Sequence, residues 1–465
     1  MLTYHLDQES SVSLYDQLYT FIRRDIESGL LVPGERLPSK RVLAGNLGVS
    51  SITVENAYHQ LMDEGYIQAL PKKGYFISES LEIAPVRQTT GNKEIHLPLR
   101  EPACLWNLTS NQTSPENFPF SIWSRLLREI MSDRKEELMV PTPSGGILAL
   151  REAISGHLRS FRGMTVDPDQ IIVGAGTEYL YGLLIQLLGR KKIYCLENPG
   201  HKKVAQIYAA KGVERRFVEL DESGISALGL QESGADIAHI SPTHHFPTGI
   251  TMPVSRRYEL LAWASGAEDR YIIEDDYDSE FRLSGKPIPS LQSIDVSEKV
   301  IYMNTFSKSL ASTIRISYMV LPANLANRFY RDLAFYSCTV SSFEQYTLAR
   351  FIREGYFEKH INRMRLFYAR QRKAILSCIE NSTLNSYCQV IERDSGLHLL
   401  LGLQTERSDE ELSERFRKEG VYIRPLSDYY QTPQYAHVFI LNYSNLQVNQ
   451  LETALKAMAK CLNSG

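Results

Sequence analysis

The sequence predicts an α/β protein with a small N-terminal unit and a large unit built on a mostly parallel sheet. That sheet is expected to carry helices on both faces and a smaller C-terminal lobe. Three patterns predict this fold class. Apolar residues recur at helical spacing between residues 14 and 61, and a short hairpin pattern follows them. Short apolar runs then alternate with helical stretches from residue 171 to residue 321, which is typical of a parallel sheet. The chain beyond about residue 325 is helix-rich and should form the lobe.

The composition is that of an ordinary globular protein, and it restricts the partners. The net charge is −3, so a generally basic surface for nucleic acid is excluded. Residues 1–80 carry seven Lys/Arg and ten Asp/Glu, so DNA binding there has to come from a local patch. The six cysteines lack pairing or metal-ligand spacing, which predicts a reduced, cytoplasmic protein. No signal peptide is indicated and no apolar run is long enough to cross a membrane, so no membrane partner is expected.

The first 80 residues predict three helices and a hairpin. Gly29 follows the first helix, Ser39 can cap the second, and Gly48 separates the second from the third. Ser50 or Ser51 can cap the third helix. One side of the third helix is an apolar stripe made by Val54, Ala57, Tyr58 and Leu61. Two short strand patterns with a basic tip between them complete the unit.

This order of elements is the winged helix-turn-helix arrangement, in which the third helix enters the DNA major groove by its N-terminal turns. Basic residues are expected to contact phosphates beside that helix and on the wing, namely Arg36, Lys40, Arg41, Lys72 and Lys73. The candidate DNA contacts at the start of the third helix are Ser50, Ser51, Thr53 and Asn56. Of these, Ser51 and Asn56 are expected to determine which DNA sequence is preferred. The pattern alone leaves open a small helical protein-interaction domain.

Residues 11–78 resemble the GntR-type DNA-binding domain almost end to end. The matching string is LPSKR-x-LA-x-x-LGVS-x-x-TV-x-x-AY-x-x-L-x-x-EGY, which is very specific. The resemblance implies a winged helix over residues 1–80 that binds an operator in double-stranded DNA. One departure concerns the residue after GVS, which in that family is usually an arginine that contacts DNA. It is Ser51 here, so the site preference near that position should differ.

Residues 81–104 mix Pro, Thr, Gln and charged residues without periodicity, which predicts a linker to a large domain over residues 105–465. Between most of the strand patterns of that domain lie helical patterns, for example residues 178–188. The candidate strands are 171–173, 193–196, 237–240, 271–274, 300–304 and 316–321, with two more near 397–401 and 438–441.

Chemistry-bearing residues stand at the ends of these strands. Residues 174–178 form a glycine-containing turn before a helix, which favours a phosphate or simply makes the turn. Residues 274–277 place carboxylates at the end of an apolar strand, where they need partners; a helix cap or a salt bridge would account for them equally well. Lys308 stands among small hydroxylated residues and could form a Schiff base, although a lone lysine is usually a surface residue. Arg315 is a possible phosphate ligand.

Two adjacent histidines, His244 and His245, raise the possibility of a metal site. Adjacent side chains diverge, and the sequence offers no third ligand at a suitable spacing. No metal site is therefore predicted.

Taken in order, these segments resemble the fold-type-I aminotransferase family, and more closely the MocR/GabR regulators, which join a GntR-type head to such a domain. The resemblance covers nearly the whole chain. Its most typical motifs are FP-x-x-x-W, GG-x-x-x-LREAI, E-x-PG, FPTG, IEDDYDSEF and TFSKSL. It implies a transcriptional regulator that holds pyridoxal 5′-phosphate (PLP) and forms a homodimer.

The resemblance also implies roles for single residues. Lys308 would form the internal aldimine, Asp275 would pair with the pyridine nitrogen, and Tyr277 would donate to the phenolic oxygen. The phosphate would be held by Gly176, Thr177, Ser307 and Arg315. His201 stands where a tyrosine usually stacks on the ring, so it should stack less well and could titrate. Phe246 replaces the asparagine of true aminotransferases.

Three functional hypotheses remain open at this point: a sensor of a small amino compound, a sensor of PLP itself that controls vitamin B6 supply, and a working aminotransferase with an added DNA-binding domain. A transaminase needs an arginine for the substrate carboxylate, and the strand pattern at 438–443 contains none. Arg424 could serve from a neighbouring segment or be an ordinary surface arginine. Lys203 is a second candidate ligand contact. The missing strand arginine and the DNA-binding head favour a sensor over an enzyme.

Overall fold

The computed structural model describes residues 3–79, 104–110, 112–282, 288–391, 396–432, 434 and 437–463. The chain divides into two compact units, Met1–Glu101 and Pro102–Gly465. The predicted linker, residues 81–104, lies outside the described residues apart from Cys104 and stays a prediction. Among the residues described, no helix has both the length and the apolar character needed to cross a membrane.

The N-terminal unit contains the three helices and the hairpin that the sequence predicts. Its elements are α1 (Leu14–Glu27), α2 (Lys40–Leu47), α3 (Ser51–Asp63), β1 (Ile67–Leu70) and β2 (Gly74–Ile77). The hairpin strands pair antiparallel, from Ile67 opposite Ile77 to Leu70 opposite Gly74. The apolar stripe of α3 is buried against α1, as its helical spacing requires.

Local capping explains where α2 and α3 begin and end. The Ser39 hydroxyl accepts a hydrogen bond from the Val42 N–H, and the Ser50 hydroxyl accepts one from the Thr53 N–H. Each serine thus satisfies a helix N–H that has no partner within the helix. Gly48 ends α2 with a φ of 67°, a left-handed conformation that glycine adopts without a Cβ penalty. These caps fix the short break between α2 and α3.

An eight-stranded sheet forms the centre of the large unit. Its strands are β4 (Ile171–Gly174), β5 (Ile193–Asn198), β6 (Glu214–Asp221), β7 (Gly224–Ile225), β8 (Ile237–Ile240), β9 (Tyr271–Asp275), β10 (Val300–Thr305) and β11 (Ser317–Val320). The spatial order is β4-β11-β10-β9-β8-β5-β6-β7. The run from β10 to β6 is parallel, whereas β11 is antiparallel to both of its neighbours.

Helices cover both faces of this sheet. They are α4 (Phe120–Asp133), α5 (Lys135–Leu138), α6 (Leu148–Arg162), α7 (Thr177–Leu188), α8 (Lys202–Ala210), α9 (Ala227–Glu232), α10 (Val254–Ser265), α11 (Phe306–Ser309), α12 (Ala323–Asp332), α13 (Ser342–Arg353) and α14 (Tyr356–Glu380). Alternate residues of β10 belong to different cores: Ile301 and Met303 pack with α7 and α12, and Tyr302 packs with α6, α13 and α14. This alternation is the period of two that a strand buried on both faces requires.

Strand β6 was missed by the sequence analysis. Its sequence, ERRFVELD, offers no apolar run, and most of its residues are exposed or half-buried. It nevertheless pairs in parallel with β5 over six residues, from Ile193 opposite Glu214 to Asn198 opposite Glu219. The strand therefore depends on backbone pairing to its neighbour, which hydrophobic periodicity does not reveal.

The smaller lobe differs in its boundaries from the prediction. Its strands and helices are β3 (Trp106–Asn107), β12 (Cys388–Ile391), β13 (His398–Leu403), α15 (Asp409–Lys418), β14 (Val421–Tyr422), β15 (Arg424–Pro425), β16 (Val438–Asn442) and α16 (Val448–Asn463). The predicted start near residue 325 is wrong, because Leu325 and Phe329 of α12 pack on the large sheet. The lobe also takes in residues from the start of the large unit, since β3 pairs in parallel with β14.

Candidate functional site

A cavity of about 360 Å³ opens at the carboxyl ends of β4, β5, β9 and β10. This edge of a parallel sheet is where ligands of such folds bind. Nine of the predicted site residues line the cavity, namely Gly176, Thr177, His201, Lys203, Asp275, Tyr277, Ser307, Lys308 and Arg315. Arg424 is not among the lining residues. The sequence therefore anticipated the composition of this cavity, although the roles of its residues remain proposals.

Lys308 lies in the short helix α11, directly after β10. The Thr305 side chain caps that helix by accepting a hydrogen bond from the Ser307 N–H at 3.1 Å. Burial lowers the pKa of Lys308 to about 8, against an opposing influence from the Asp278 carboxylate. The amine is consequently uncharged far more often near neutral pH than a solvated lysine, and an uncharged amine can attack a carbonyl carbon.

Asp275 ends β9, and its two carboxylate oxygens differ in their contacts with the described residues. The Tyr181 hydroxyl donates to Oδ2 at 2.6 Å, and His239 Nε2 lies 3.5 Å from the same oxygen. Within the described part of the chain, Oδ1 is buried and has no hydrogen-bond partner. A buried carboxylate oxygen in a cavity wall needs a donor, and the protonated pyridine nitrogen of PLP fits that requirement.

Tyr181 was not identified from the sequence. It lies four residues after Thr177, so both face the same side of α7. Burial, followed by the charge of Asp275, raises its pKa well above the usual value for tyrosine. Tyr181 therefore stays protonated and acts as a permanent donor to Asp275. The helical spacing from Thr177 was the available signal.

The other end of the cavity is shaped for an anion. Gly176 precedes α7 with a φ of 90°, and a Cβ there would stand 2.5 Å from Arg315 Nη2. Arg315 itself has a φ of 50°, a left-handed conformation that non-glycine residues rarely adopt and that tends to occur at functional sites. The N–H groups at the start of α7 and the guanidinium together fit a phosphate group. Glu178 pairs with Arg315 at 3.6 Å and also with Lys203.

Tyr277 lies in the cavity wall with its hydroxyl 3.1 Å from His244 Nδ1. The same nitrogen lies 2.8 Å from Asp278 Oδ2. Burial, followed by the neighbouring carboxylates, raises the pKa of Tyr277 well above the usual tyrosine value. Its hydroxyl therefore keeps its proton, which suits a donor to a phenolic oxygen. His244 is a second residue that the sequence analysis did not assign to this site.

The two histidines of the candidate metal motif face different partners. His244 contacts Asp278, and His245 Nδ1 lies 2.7 Å from Thr248 Oγ1. In the part of the chain that the structure describes, no group of three or more His, Cys, Asp or Glu side chains could hold a metal ion.

His201 lies in the cavity wall with its ring centroid 5.5 Å from that of Phe246. Its Nδ1 accepts a hydrogen bond from the Lys203 N–H at 3.3 Å and so caps α8. Burial lowers the pKa of His201. Burial therefore favours the neutral ring of His201.

The smaller lobe reaches the cavity through residues 426–431. The Gly200 N–H donates to the Tyr429 carbonyl at 3.1 Å, and the Gln431 N–H donates to Asn198 Oδ1 at 3.0 Å. Gln431 also lines the cavity. A movement of the lobe would therefore change the cavity wall.

Arg424 stands behind this wall. It lies in β15, and its Nε and Nη2 donate to the Tyr422 hydroxyl at 3.0 and 2.8 Å. Its charge also acts on Tyr429, whose ring lies 5.2 Å from that of Phe246 in the cavity wall. The charge of Arg424 thus acts on a tyrosine that packs against the cavity wall.

The carboxylates of the segment IEDDYDSEF lie in different surroundings. Only Asp275 among them lines the cavity. Asp276 is buried against Arg162 and accepts a hydrogen bond from the Tyr302 hydroxyl at 2.6 Å. Glu274 accepts two hydrogen bonds from backbone N–H groups, at 2.7 and 2.9 Å. The salt-bridge interpretation of this strand end therefore holds for Asp276, whereas the role of Asp275 toward a cofactor stays a proposal.

The predicted DNA contacts occupy α2, α3 and the wing of the N-terminal unit. Arg41, Ser51, Asn56, Lys72 and Lys73 are exposed. Three others have partners within the unit. Ser50 lies 2.8 Å from the Thr53 hydroxyl, Arg36 lies against Gly74 of the wing, and Lys40 pairs with Glu55.

Two family models match the chain. The model for bacterial regulatory proteins of the gntR family matches residues 14–77. The model for aminotransferase class I and II matches residues 105–458.

Curated relatives match over nearly their whole length. The uncharacterized HTH-type transcriptional regulator YdeL of Bacillus subtilis (strain 168) is 34% identical over 98% of each chain. The probable rhizopine catabolism regulatory protein MocR of Rhizobium meliloti is 30% identical over 97% of this chain and 96% of its own. The HTH-type pyridoxine biosynthesis transcriptional regulator PdxR of Corynebacterium glutamicum is 30% identical over 91% of this chain and 90% of its own.

Solved structures match the large unit. The kynurenine aminotransferase of Pyrococcus horikoshii has a TM-score of 0.67 and 26% identity, over 77% of this chain and 90% of its own. An archaeal alanine:glyoxylate aminotransferase has a TM-score of 0.68 over 78% of this chain and 91% of its own. Its identity of 23% shows the fold alone.

Proposed function

The chain belongs to the HTH-type transcriptional regulators that join a gntR-family head to an aminotransferase class I and II domain, and on that premise we propose that it binds an operator in double-stranded DNA under the control of PLP held on Lys308. The effector in this proposal is a small amino compound that exchanges with Lys308 at the aldehyde carbon of the cofactor. The cavity carries the proposal, because it combines a lysine of lowered pKa with a partnerless carboxylate oxygen and an anion-binding end.

Different residues of the chain would bind different parts of PLP. Asp275, fixed by Tyr181, would keep the pyridine nitrogen protonated, and Tyr277 would donate to the phenolic oxygen. Gly176, Thr177, Ser307 and Arg315 would hold the phosphate. His201 would lie against the ring. PLP when bound supplies an electrophilic carbon and an electron-withdrawing ring.

Several features favour a sensor over an aminotransferase. The curated relatives named above are regulators. Lys203, a proposed contact for an anionic group of the effector, lines the cavity, whereas Arg424 is outside the lining and donates to the Tyr422 hydroxyl. An effector that displaces Lys308 removes a covalent link to the chain. The effector can then shift the equilibrium between two conformations of the protein, provided that it binds them with different affinities.

A second candidate function is sensing of PLP itself. The observation that favours it is the 30% identity to a pyridoxine biosynthesis regulator. In that case binding and loss of PLP, rather than exchange with an amine, would change DNA binding.

The full-length protein loaded with PLP should change its visible absorbance when a primary amino compound is added. The reason is that exchange at the aldehyde carbon replaces Lys308. A panel of amino acids and amines read by absorbance identifies the effector class. Turnover with keto acids should stay far below a typical enzyme rate of about 10 per second.

Trimethylglycine is a matched control for glycine, because its nitrogen carries no proton to exchange. Ordinary turnover of a common amino acid would favour the aminotransferase hypothesis. If no amine changes the absorbance while free PLP alters DNA binding, PLP sensing becomes the better hypothesis.

Arg41→Gln and Lys73→Gln should each weaken binding to all DNA sequences. Because each removes a proposed phosphate contact, the slope of log affinity against log salt should fall by about one unit per contact. The measurement is binding of the full chain to a duplex of about 20 base pairs, two turns of B-DNA, over salt from about 50 to 200 mM. Arg24→Gln, an exposed arginine of α1, is the charge-matched control. If the salt slopes of Arg41→Gln and Lys73→Gln both equal that of the wild type, these residues do not contact phosphates.

We also propose a homodimer, by analogy with fold-type-I domains. Two heads would then read two half-sites. The linker over residues 81–104 could span about 80 Å if fully extended.

A further inference from the structure

The exposed residues of α3 include no lysine or arginine, and Glu55 on this helix has His59 Nε2 3.9 Å from its Oε1. The helix sequence SITVENAYHQLMD contains neither lysine nor arginine. Ser51, Ile52, Asn56 and His59 are exposed, and Glu55 is half-buried beside them with 41% of its side chain accessible. The commonest specific base contact, arginine to guanine, is therefore unavailable to this helix.

Glu55 has a cation from the neighbouring helix. Lys40 Nζ lies 2.5 Å from Glu55 Oε1, and 30% of the lysine side chain is exposed. Lys40 is the first residue of α2, and α2 crosses the DNA backbone in helix-turn-helix docking. The hydrogen bond from Lys40 lowers the pKa of Glu55, so the carboxylate stays ionised. A bare carboxylate near phosphates would be repelled, and Lys40 removes that repulsion while orienting the side chain.

An ionised carboxylate accepts hydrogen bonds and cannot donate them. In the major groove, cytosine presents the N4 amino donor without an acceptor on the same base. Adenine presents its N6 amino donor next to the N7 acceptor, which would repel a carboxylate. Guanine and thymine present acceptors on the edges nearest the groove. The chemistry of Glu55 therefore selects cytosine.

We infer that Glu55 reads a cytosine in the major groove through its exocyclic amine, with Lys40 as its positioning residue. The inference rests on the proposed function, since it requires that the head binds DNA through α3. It names a base specificity at a helix position distinct from Ser51 and Asn56. It also gives Lys40 two partners at once, the Glu55 carboxylate and a phosphate.

The test uses the full chain and a library of random duplexes of about 20 base pairs. Selection with the wild type and with Glu55→Ala gives the preferred sequence of each. Affinities are then measured for the selected duplex, for a duplex with the cytosine pair replaced by a thymine pair, and for one carrying 2-pyrimidinone. That base pairs with guanine but lacks the amino group. Glu55 is partly exposed, and surface ion pairs contribute little to stability, so the variant should fold.

The wild type should lose about 5-fold or more in affinity with either replacement. Glu55→Ala, which leaves no acceptor oxygen at this position, should bind the three duplexes within about 2-fold of one another, and its affinity for unrelated duplexes should be unchanged or higher because a negative charge is gone. Lys40→Gln should bind all duplexes more weakly and show a smaller cytosine preference. Glu9→Gln, an exposed acid outside α3, should behave as wild type.

A purely structural Lys40–Glu55 pair would show a different pattern. Glu55→Ala would then weaken binding to every duplex equally and leave the selected sequence unchanged. That result would overturn the inference, and so would a wild-type preference without cytosine. Failure of the wild type to bind any duplex would overturn the proposed function itself, which the other results leave standing.

Discussion

Replacing Lys308 with alanine is expected to abolish covalent attachment of PLP. Lys308 lies in the cavity with a pKa lowered to about 8, and the residues proposed to hold the phosphate and the pyridine nitrogen are separate from it. Borohydride treatment of the loaded wild type should add a stable pyridoxyl group to the peptide containing residue 308, detected by mass. The Lys308→Ala protein should carry no such group, although it can retain PLP noncovalently through Asp275 and Arg315.

Lys203 offers a matched control, since it is a second lysine of the same cavity. Borohydride should still fix PLP to residue 308 of the Lys203→Ala protein. In the wild type the Lys203 ammonium pairs with Glu178, so Lys203 is not expected to be the anchor. Reducible PLP on the Lys308→Ala chain would show that another amine is the anchor. It would also remove the main support for effector exchange at this position.

The rate at which the protein free of cofactor binds PLP covalently should depend on pH through the same lysine. Attack on the aldehyde needs the uncharged amine, so the rate should rise as pH increases through about 8 and then level off. At pH 7.5 a pKa of about 8 leaves about a quarter of the amines uncharged, against about 0.1% for an unperturbed lysine. A rate that kept rising to a midpoint near pH 10.4 would show a solvated amine.

The sequence predicted elements and positions better than it predicted contacts. The caps at Ser39 and Ser50 and the buried stripe of α3 depend on neighbouring residues, so local spacing was enough. The segments around Gly176, Asp275 and Lys308 were found because functional groups follow the ends of parallel strands, whereas His201 and the roles of the individual residues came from the family resemblance. Strand β6 was missed because its charged residues leave no apolar run.

The side chains that support the site could not be predicted, because their partners are remote in the chain. Tyr181 meets Asp275 across 94 residues, and Arg162 meets Asp276 across 114. Periodicity tells which face of a helix a residue occupies but not which side chain it contacts there. A tyrosine or an arginine on a helix can serve in a core, in a surface ion pair or in a binding site. Only the fold brings these particular groups together.

Arg162 is the supporting residue whose loss should have the largest effect on stability. It ends α6, and both its side chain and that of Asp276 are only about 1% exposed. Arg162 also donates to the Ile288 carbonyl at 2.6 Å and to Thr243 Oγ1 at 3.3 Å. Nearby Glu280 is buried, and burial with the charge of Asp276 raises its pKa to about 7. Arg162 is thus the cation paired directly with Asp276 in a cluster of buried acids, on which Arg257 and Arg365 also act.

Arg162→Met should therefore lower the free energy of unfolding of the large unit by about 3–5 kcal/mol, because it leaves a buried carboxylate without its partner. Tryptophan fluorescence during urea unfolding is a selective measurement, since Trp106, Trp123 and Trp263 all lie in that unit. Arg328→Met, which breaks an exposed pair with Asp332, should change the same quantity by less than about 1 kcal/mol.

The double variant separates the lost ion pair from lost packing. Arg162→Met combined with Asp276→Leu removes both charges, so it should recover most of the stability that the single variant loses. Because Asp276 adjoins Asp275, the single variant should also weaken noncovalent PLP retention in the Lys308→Ala background, and the double variant should restore it. A single variant as stable as wild type, or a double variant no better than the single, would mean that the buried pair does not hold the end of β9 in place.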